Sequence, residues 1–82
     1  MKELREKALA PPAPELRTLR EKAGLTKPEV AAAVSSTLAA VYAWEDGRAW
    51  PTIDKLPRLA EALGVDVSSL VDSLILTRRR AS

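Results

Sequence analysis

The chain has 82 residues and a formal net charge of +2, with 46% hydrophobic and 29% charged positions; that length fits one small core, which burial alone leaves marginally stable. It contains no cysteine and no histidine, so a structural disulfide is excluded and neither a zinc site nor a histidine-based catalytic centre is expected. No apolar run approaches the roughly 20 residues that span a bilayer and no secretory signal is legible, so no membrane association is expected and the chain reads as cytoplasmic.

In chain order, MKELREKALA is helix-prone but runs into Pro11, Pro12 and Pro14. Their missing amides and restricted predecessors stop a helix, and residues 1–13 read as an arm. LREKAL at Leu4 to Leu9 nearly recurs as LREKAGL at Leu19 to Leu25, which reads as a coincidence in so leucine-, arginine- and glutamate-rich a sequence ahead of a small duplication. A first helix is expected from about Pro14 to Ala23, with Leu16, Leu19 and Ala23 inward and Gly24 ending it in a left-handed conformation. Thr26 then stands three residues before Glu29, the spacing of a capping box, with Leu25 and Val30 placed as a hydrophobic staple. Pro28 falls in the first turn, where its missing amide costs nothing. Val30, Ala31 and Val34 share one face, and after the hydroxyl cluster Ser35, Ser36 and Thr37 the residues Val41 and Trp44 repeat the helical period. Thr26 to Gly47 therefore outlines two short helices packed at an angle across a tight turn, a helix-turn-helix.

Beyond it, a fourth helix is expected after Thr52 as cap, with Leu56, Leu59, Ala60 and Leu63 on one face and Gly64 as terminator. Pro57 implies either a kink or a start nearer Leu56. Ser69 and Asp72 are the expected caps of a fifth helix whose Leu70, Val71 and Leu74 complete the core. LILTRRRAS then frays, leaving a domain over 14–76 and a short basic C-terminal tail over 77–82. Residues 14–76 carry seven basic and nine acidic side chains, and Arg78, Arg79 and Arg80 hold the excess. Affinity for phosphate would have to come from a local arrangement of charge.

The succession LRTLREKAGLT, the capped helix pair, WEDGRAWP, LPRLAEALGV and SSLVDSL resembles the lambda-repressor-like, or Cro/C1-type, family of helix-turn-helix proteins over roughly Leu16 to Leu74. Each fragment is weak alone; in this order and spacing they are specific. The resemblance implies an all-α, compact five-helix DNA-binding domain. Its expected role is a transcriptional regulator, a repressor occupying an operator in double-stranded DNA as a twofold homodimer on half-sites about one turn apart. It also implies an ion pair between Arg20 and Glu45, and backbone contacts by Lys27, Thr37 and Arg48. The plain alternative for these two basic residues is an ordinary solvated side chain.

Departures from the family pattern fall on the third helix. The positions that face base edges in the family are Leu38, Ala39, Tyr42 and Ala43, and only the hydroxyls of Ser36, Thr37 and Tyr42 offer hydrogen bonds there. Two readings stand open. Leu38 and the alanines pack against thymine methyls with DNA shape supplying the rest, or the apolar ridge of Leu38 and Tyr42 meets a protein, as in an antitoxin or a partner of the transcription machinery. Ser35 replaces the usual glycine of the turn, which implies strain or an altered turn. Trp44 reads as core; Trp50 is less constrained. For a dimer, the arm, the fifth helix and the run Leu74, Ile75, Leu76 are the expected surfaces. No nucleophile with a base beside it, no paired carboxylates in a cleft and no phosphate-cradling glycine loop are present, so neither an enzyme nor a cofactor is expected.

Overall fold

The computed structural model describes residues 14–81; the arm expected over 1–13 lies outside the described residues. Among the described residues the fold has five α-helices: α1 (Leu16–Lys22), α2 (Lys27–Ala33), α3 (Leu38–Glu45), α4 (Leu56–Leu63) and α5 (Val67–Ala81), with a 3-10 turn at Ile53–Lys55 leading into α4. Among the described residues there is no strand, and no helix is long and apolar enough to cross a membrane.

Local chemistry sets most helix ends. At α2, the Thr26 hydroxyl accepts from the Glu29 amide while the Glu29 carboxylate accepts from the Thr26 amide at 2.8 Å, a complete capping box with proline in the first turn. The Thr37 hydroxyl caps α3 by accepting from the Ala40 amide. Helices α1 to α4 each close with the same backbone bond, from an amide just past the helix to the carbonyl five residues earlier: Leu25 to Arg20, Ser36 to Ala31, Arg48 to Ala43 and Val65 to Ala60. That closure requires a left-handed residue, here Gly24, Ser35, Gly47 and Gly64 in turn.

Several expectations need correction. The first helix is shorter than Pro14 to Ala23, because Glu15 is its extended N-cap and Ala23 is an exposed C-cap rather than an inward residue. Thr52 is not the side-chain cap of the fourth helix, which starts at Leu56 after the 3-10 turn so that Pro57 sits in its first turn. Ser69 and Asp72 do not cap the fifth helix. It begins earlier, at Val67, and the Asp66 carboxylate accepts from the Ser69 amide at 2.8 Å and from the Ser68 hydroxyl. Arg78, Arg79 and Arg80 are not a frayed tail, since α5 runs through them to Ala81.

The core forms where the five helices meet. It holds Leu16 and Leu19 of α1, Val30, Ala31 and Val34 of the second helix and its end, Val41 and Trp44 of α3, Leu59, Ala60 and Leu63 of α4, and Leu70 and Leu74 of α5. Leu74 is thus committed inward, and of the run expected at a dimer surface only Ile75 and Leu76 stay half-buried. Long-range bonds explain why α5 persists. Buried Thr77 accepts the Leu16 amide at 3.0 Å and donates to the Ser73 carbonyl at 2.8 Å, so a hydroxyl of the last helix caps the first. Close by, a β-carbon on Gly47 would lie 2.7 Å from the Ala81 β-carbon and 3.0 Å from the Thr77 carbonyl oxygen. Only glycine allows that approach and the positive φ together.

Thr77→Val preserves side-chain volume but strands the Leu16 amide, and should lower the free energy of unfolding by about 1–3 kcal/mol in urea melts. The caps also set an acid response. Hydrogen bonds from the Thr26 backbone and side chain hold Glu29 below its ordinary pKa, and those from the Ser69 side chain and backbone, with Ser68, do the same for Asp66. A carboxylate depressed on folding contributes stability above its unfolded pKa and loses it as pH falls through the folded value. The urea midpoint should therefore decline as pH drops through and below the carboxylate range, and less steeply in Glu29→Gln/Asp66→Asn.

Candidate nucleic-acid interface

The direction in which α3 presents itself is fixed from behind. Arg20 donates from Nε to Glu45 at 2.6 Å, from a terminal nitrogen to the other Glu45 oxygen at 3.3 Å, and from its remaining nitrogen to the Leu25 carbonyl at 2.9 Å. The two side chains are 12% and 5% exposed, a degree of burial at which an unpartnered charge is costly. Hydrogen bonding to Glu45 outweighs desolvation and raises the Arg20 pKa above its already high ordinary value, so the guanidinium keeps its charge.

The turn before α3 is held by a contact from outside the motif. Ser35 adopts φ +53°, a conformation that costs a non-glycine residue about 1–2 kcal/mol. Lys55, in the 3-10 turn, places its ammonium 3.2 Å from the carbonyls of both Val34 and Ser35. It satisfies acceptors left open at the end of α2 and puts positive charge where the helix dipole favours it.

With its rear anchored, α3 turns Leu38, Ala39 and Tyr42 outward, with Ala43 half-buried beside them, and Val41 and Trp44 into the core. Leu38 and Tyr42 are 42% and 45% exposed, one turn apart. The Lys27 ammonium lies over the Tyr42 ring at 4.1 Å from its centroid, which joins the start of α2 to the exposed side of α3 through a cation–π contact. Past the C-terminus of α3, Arg48 meets Asp46 at 3.1 Å with both side chains well exposed. Such a pair is screened and contributes about 0–1 kcal/mol, so an incoming anion would displace Asp46 from the guanidinium at little cost. Ser36 is half-buried in the turn, and Thr37 is exposed with its oxygen engaged in the α3 cap. The outcome is an apolar helix face with no charge among the side chains along it, Lys27 beside it over Tyr42, and Arg48 past its C-terminus next to Asp46 at the C-cap.

A family model described as a helix-turn-helix domain matches residues 13–74. The chain belongs to that family. No match was found among curated proteins or among solved structures. Within this helix-turn-helix domain, the structure brings Lys27, Leu38, Ala39, Tyr42 and Ala43 onto one continuous surface, with Arg48 at its far edge, while Arg20 and Glu45 lie behind it. Lys55 and Thr77 had no legible signal, because their partners are 20 and 61 residues away. Asp66 was readable: an aspartate directly before a helical run is an N-cap candidate.

Arg20→Met leaves the Glu45 carboxylate buried without its counter-charge and should cost about 3–5 kcal/mol, close to the whole stability of a domain this small. Thermal unfolding followed by circular dichroism checks it, and in Arg20→Met/Glu45→Met much of the loss should be recovered.

Proposed function

We propose that this chain is a sequence-specific DNA-binding transcriptional regulator of the Cro/C1 type, acting as a repressor by occupying an operator. The observation that carries the reading is the exposed face of α3 bracketed by Lys27 and Arg48, in a chain of the helix-turn-helix family. On this reading α3 lies in the major groove, and Lys27, Thr37 and Arg48 take backbone phosphates on its two sides. Leu38, Ala39, Tyr42 and Ala43 then face the bases, with thymine methyls meeting the apolar side chains and the Tyr42 and Ser36 hydroxyls supplying polar contacts. A homodimer on two half-sites supplies the affinity that one small domain lacks. A second reading is favoured by the exposure of Leu38 and Tyr42: the same ridge docks on a protein partner, as an antitoxin or on the transcription machinery.

Fluorescence anisotropy with mixed-sequence duplex DNA across a salt series separates the two. Phosphate-driven binding should weaken with a log–log slope of about −0.9 per neutralised phosphate, and Arg48→Glu should flatten it. Absence of binding at low salt would set the DNA reading aside in favour of a protein partner.

A further inference from the structure

We propose that the outward face of α3 is a reader of pyrimidine 5-methyl groups, so that 5-methylcytosine serves in place of thymine and cytosine methylation strengthens binding. This rests on the DNA-binding reading above and extends it from thymine to a modified base, which makes the modification state of the DNA a control on occupancy.

The arc that α3 leaves uncovered is equipped for apolar contact. Steps of about 100° per residue put Leu38 and Tyr42 on one edge of that arc and Ala39 and Ala43 beside them, opposite buried Val41 and Trp44. Leu38 offers a branched apolar end at 42% exposure. The two alanines offer one β-carbon each, short enough for the helix backbone to come close to a groove floor. The few polar groups nearby are partly committed. The Thr37 hydroxyl accepts the Ala40 amide at 3.1 Å, and the Tyr42 ring carries the Lys27 ammonium 4.1 Å from its centroid. Neither side chain has the paired donor and acceptor that identify a base by hydrogen bonding.

Groove chemistry then selects the ligand. In the major groove thymine presents a carbonyl oxygen and a 5-methyl group, whereas cytosine presents an amino group and only a hydrogen at the same ring carbon. Against Leu38 or an alanine, the polar edge of any base loses water without gaining a partner. The methyl is the one group whose contact these side chains can return, since its burial removes apolar area from water. Methylating cytosine places that group at the same edge of the groove and alters neither the base pairing nor the number of phosphates. The expected gain is about fourfold in affinity per methyl buried, equivalent to ~0.8 kcal/mol for one apolar carbon. Phosphate contacts by Lys27 and Arg48 would be blind to the change.

The test is anisotropy on the full chain with one mixed-sequence duplex pool prepared in four forms: natural, uracil for thymine, 5-methylcytosine for cytosine, and both replacements together. All four carry the same phosphates, so differences between them report the methyl groups. The uracil form, stripped of methyls, should bind at least about fourfold more weakly than the natural form, the effect of a single methyl. The 5-methylcytosine form should bind more tightly than the natural one, and the doubly replaced form should recover the affinity lost with uracil. Leu38→Ser, at an exposed position, should shrink the ratio between natural and uracil forms. If the parent binds all four forms equally, the proposal is wrong and the DNA reading survives. A loss on uracil that 5-methylcytosine does not restore would confine the effect to thymine and also overturn the proposal. If the parent binds none of the four at low salt, the DNA reading fails and methyl readout with it.

Discussion

The Arg20 guanidinium joins three pieces of the chain at once. It meets both Glu45 oxygens at the end of α3 and the Leu25 carbonyl in the link ahead of α2. A helix of eight residues has too few turns to fix its own orientation by packing, and α3 buries only Val41 and Trp44 fully. The planar, multiply bonded guanidinium supplies the missing angular constraint, which a lysine with a single rotatable ammonium would not. Everything presented on the outer side of α3 inherits its direction from that fork. The desolvation of two charges makes the pair weak evidence for net stability but a strong device for registry, since any other docking of α1 on α3 strands a buried charge.

A second layer of constraint comes from elements after the motif. Lys55 holds the strained Ser35 turn through two carbonyls, and Thr77 ties α5 to the first amide of α1. These contacts explain how an 82-residue chain without disulfide or metal ligands of the usual kinds organises a core around such short helices. The segments proposed to form the interface are braced at the turn by Lys55 and after α3 by the Gly47 contact with α5, both reaching across the sequence. Buried Ser73, whose hydroxyl has no hydrogen-bond partner, marks the one place where this end of the molecule is not fully satisfied among the described residues; the structure offers no physical account of it.

Most of the fold was legible because its punctuation is local. Thr26 with Glu29, Gly24, Gly47 and Gly64, and the apolar spacing around Val41 and Trp44 each act within one or two helical turns, and each is where the spacing placed it. What escaped was tertiary. The basic run Arg78 to Arg80 reads as a tail by composition, whereas buried Thr77 ties α5 to α1 and the α5 backbone beyond it packs against Gly47. Ser69 and Asp72 are cap candidates by residue type, but the register of the helix makes Asp66 the cap instead. For the candidate interface, residue types indicated which side chains face outward, but not that Lys27 lies over Tyr42 or that Arg48 is offset by Asp46. Side-chain pairing between neighbouring helices depends on rotamers that no one-dimensional pattern encodes.

The apolar character of α3 sets a limit on any DNA-reading role. A bidentate side-chain contact to a base contributes about 1–3 kcal/mol of discrimination, and no residue among Leu38, Ala39, Tyr42 and Ala43 has the paired donors and acceptors to make one. On the DNA reading, phosphate contacts by Lys27 and Arg48 would add affinity without sequence information. One domain acting alone would then be tight only at low salt and only weakly selective. Twofold repetition changes this, because the discrimination of each half-site adds in free energy and so multiplies in the binding constant. Since Leu74 is consumed by the core, the half-buried Ile75 and Leu76 are what remains of that run for a second copy to cover. On the DNA reading, an apolar reading helix and a need for pairing would be two consequences of one choice of residues. The same choice would favour protein docking if a partner desolvated the ridge, and Lys27 beside it with Arg48 past its C-terminus is what supports the DNA reading over that one.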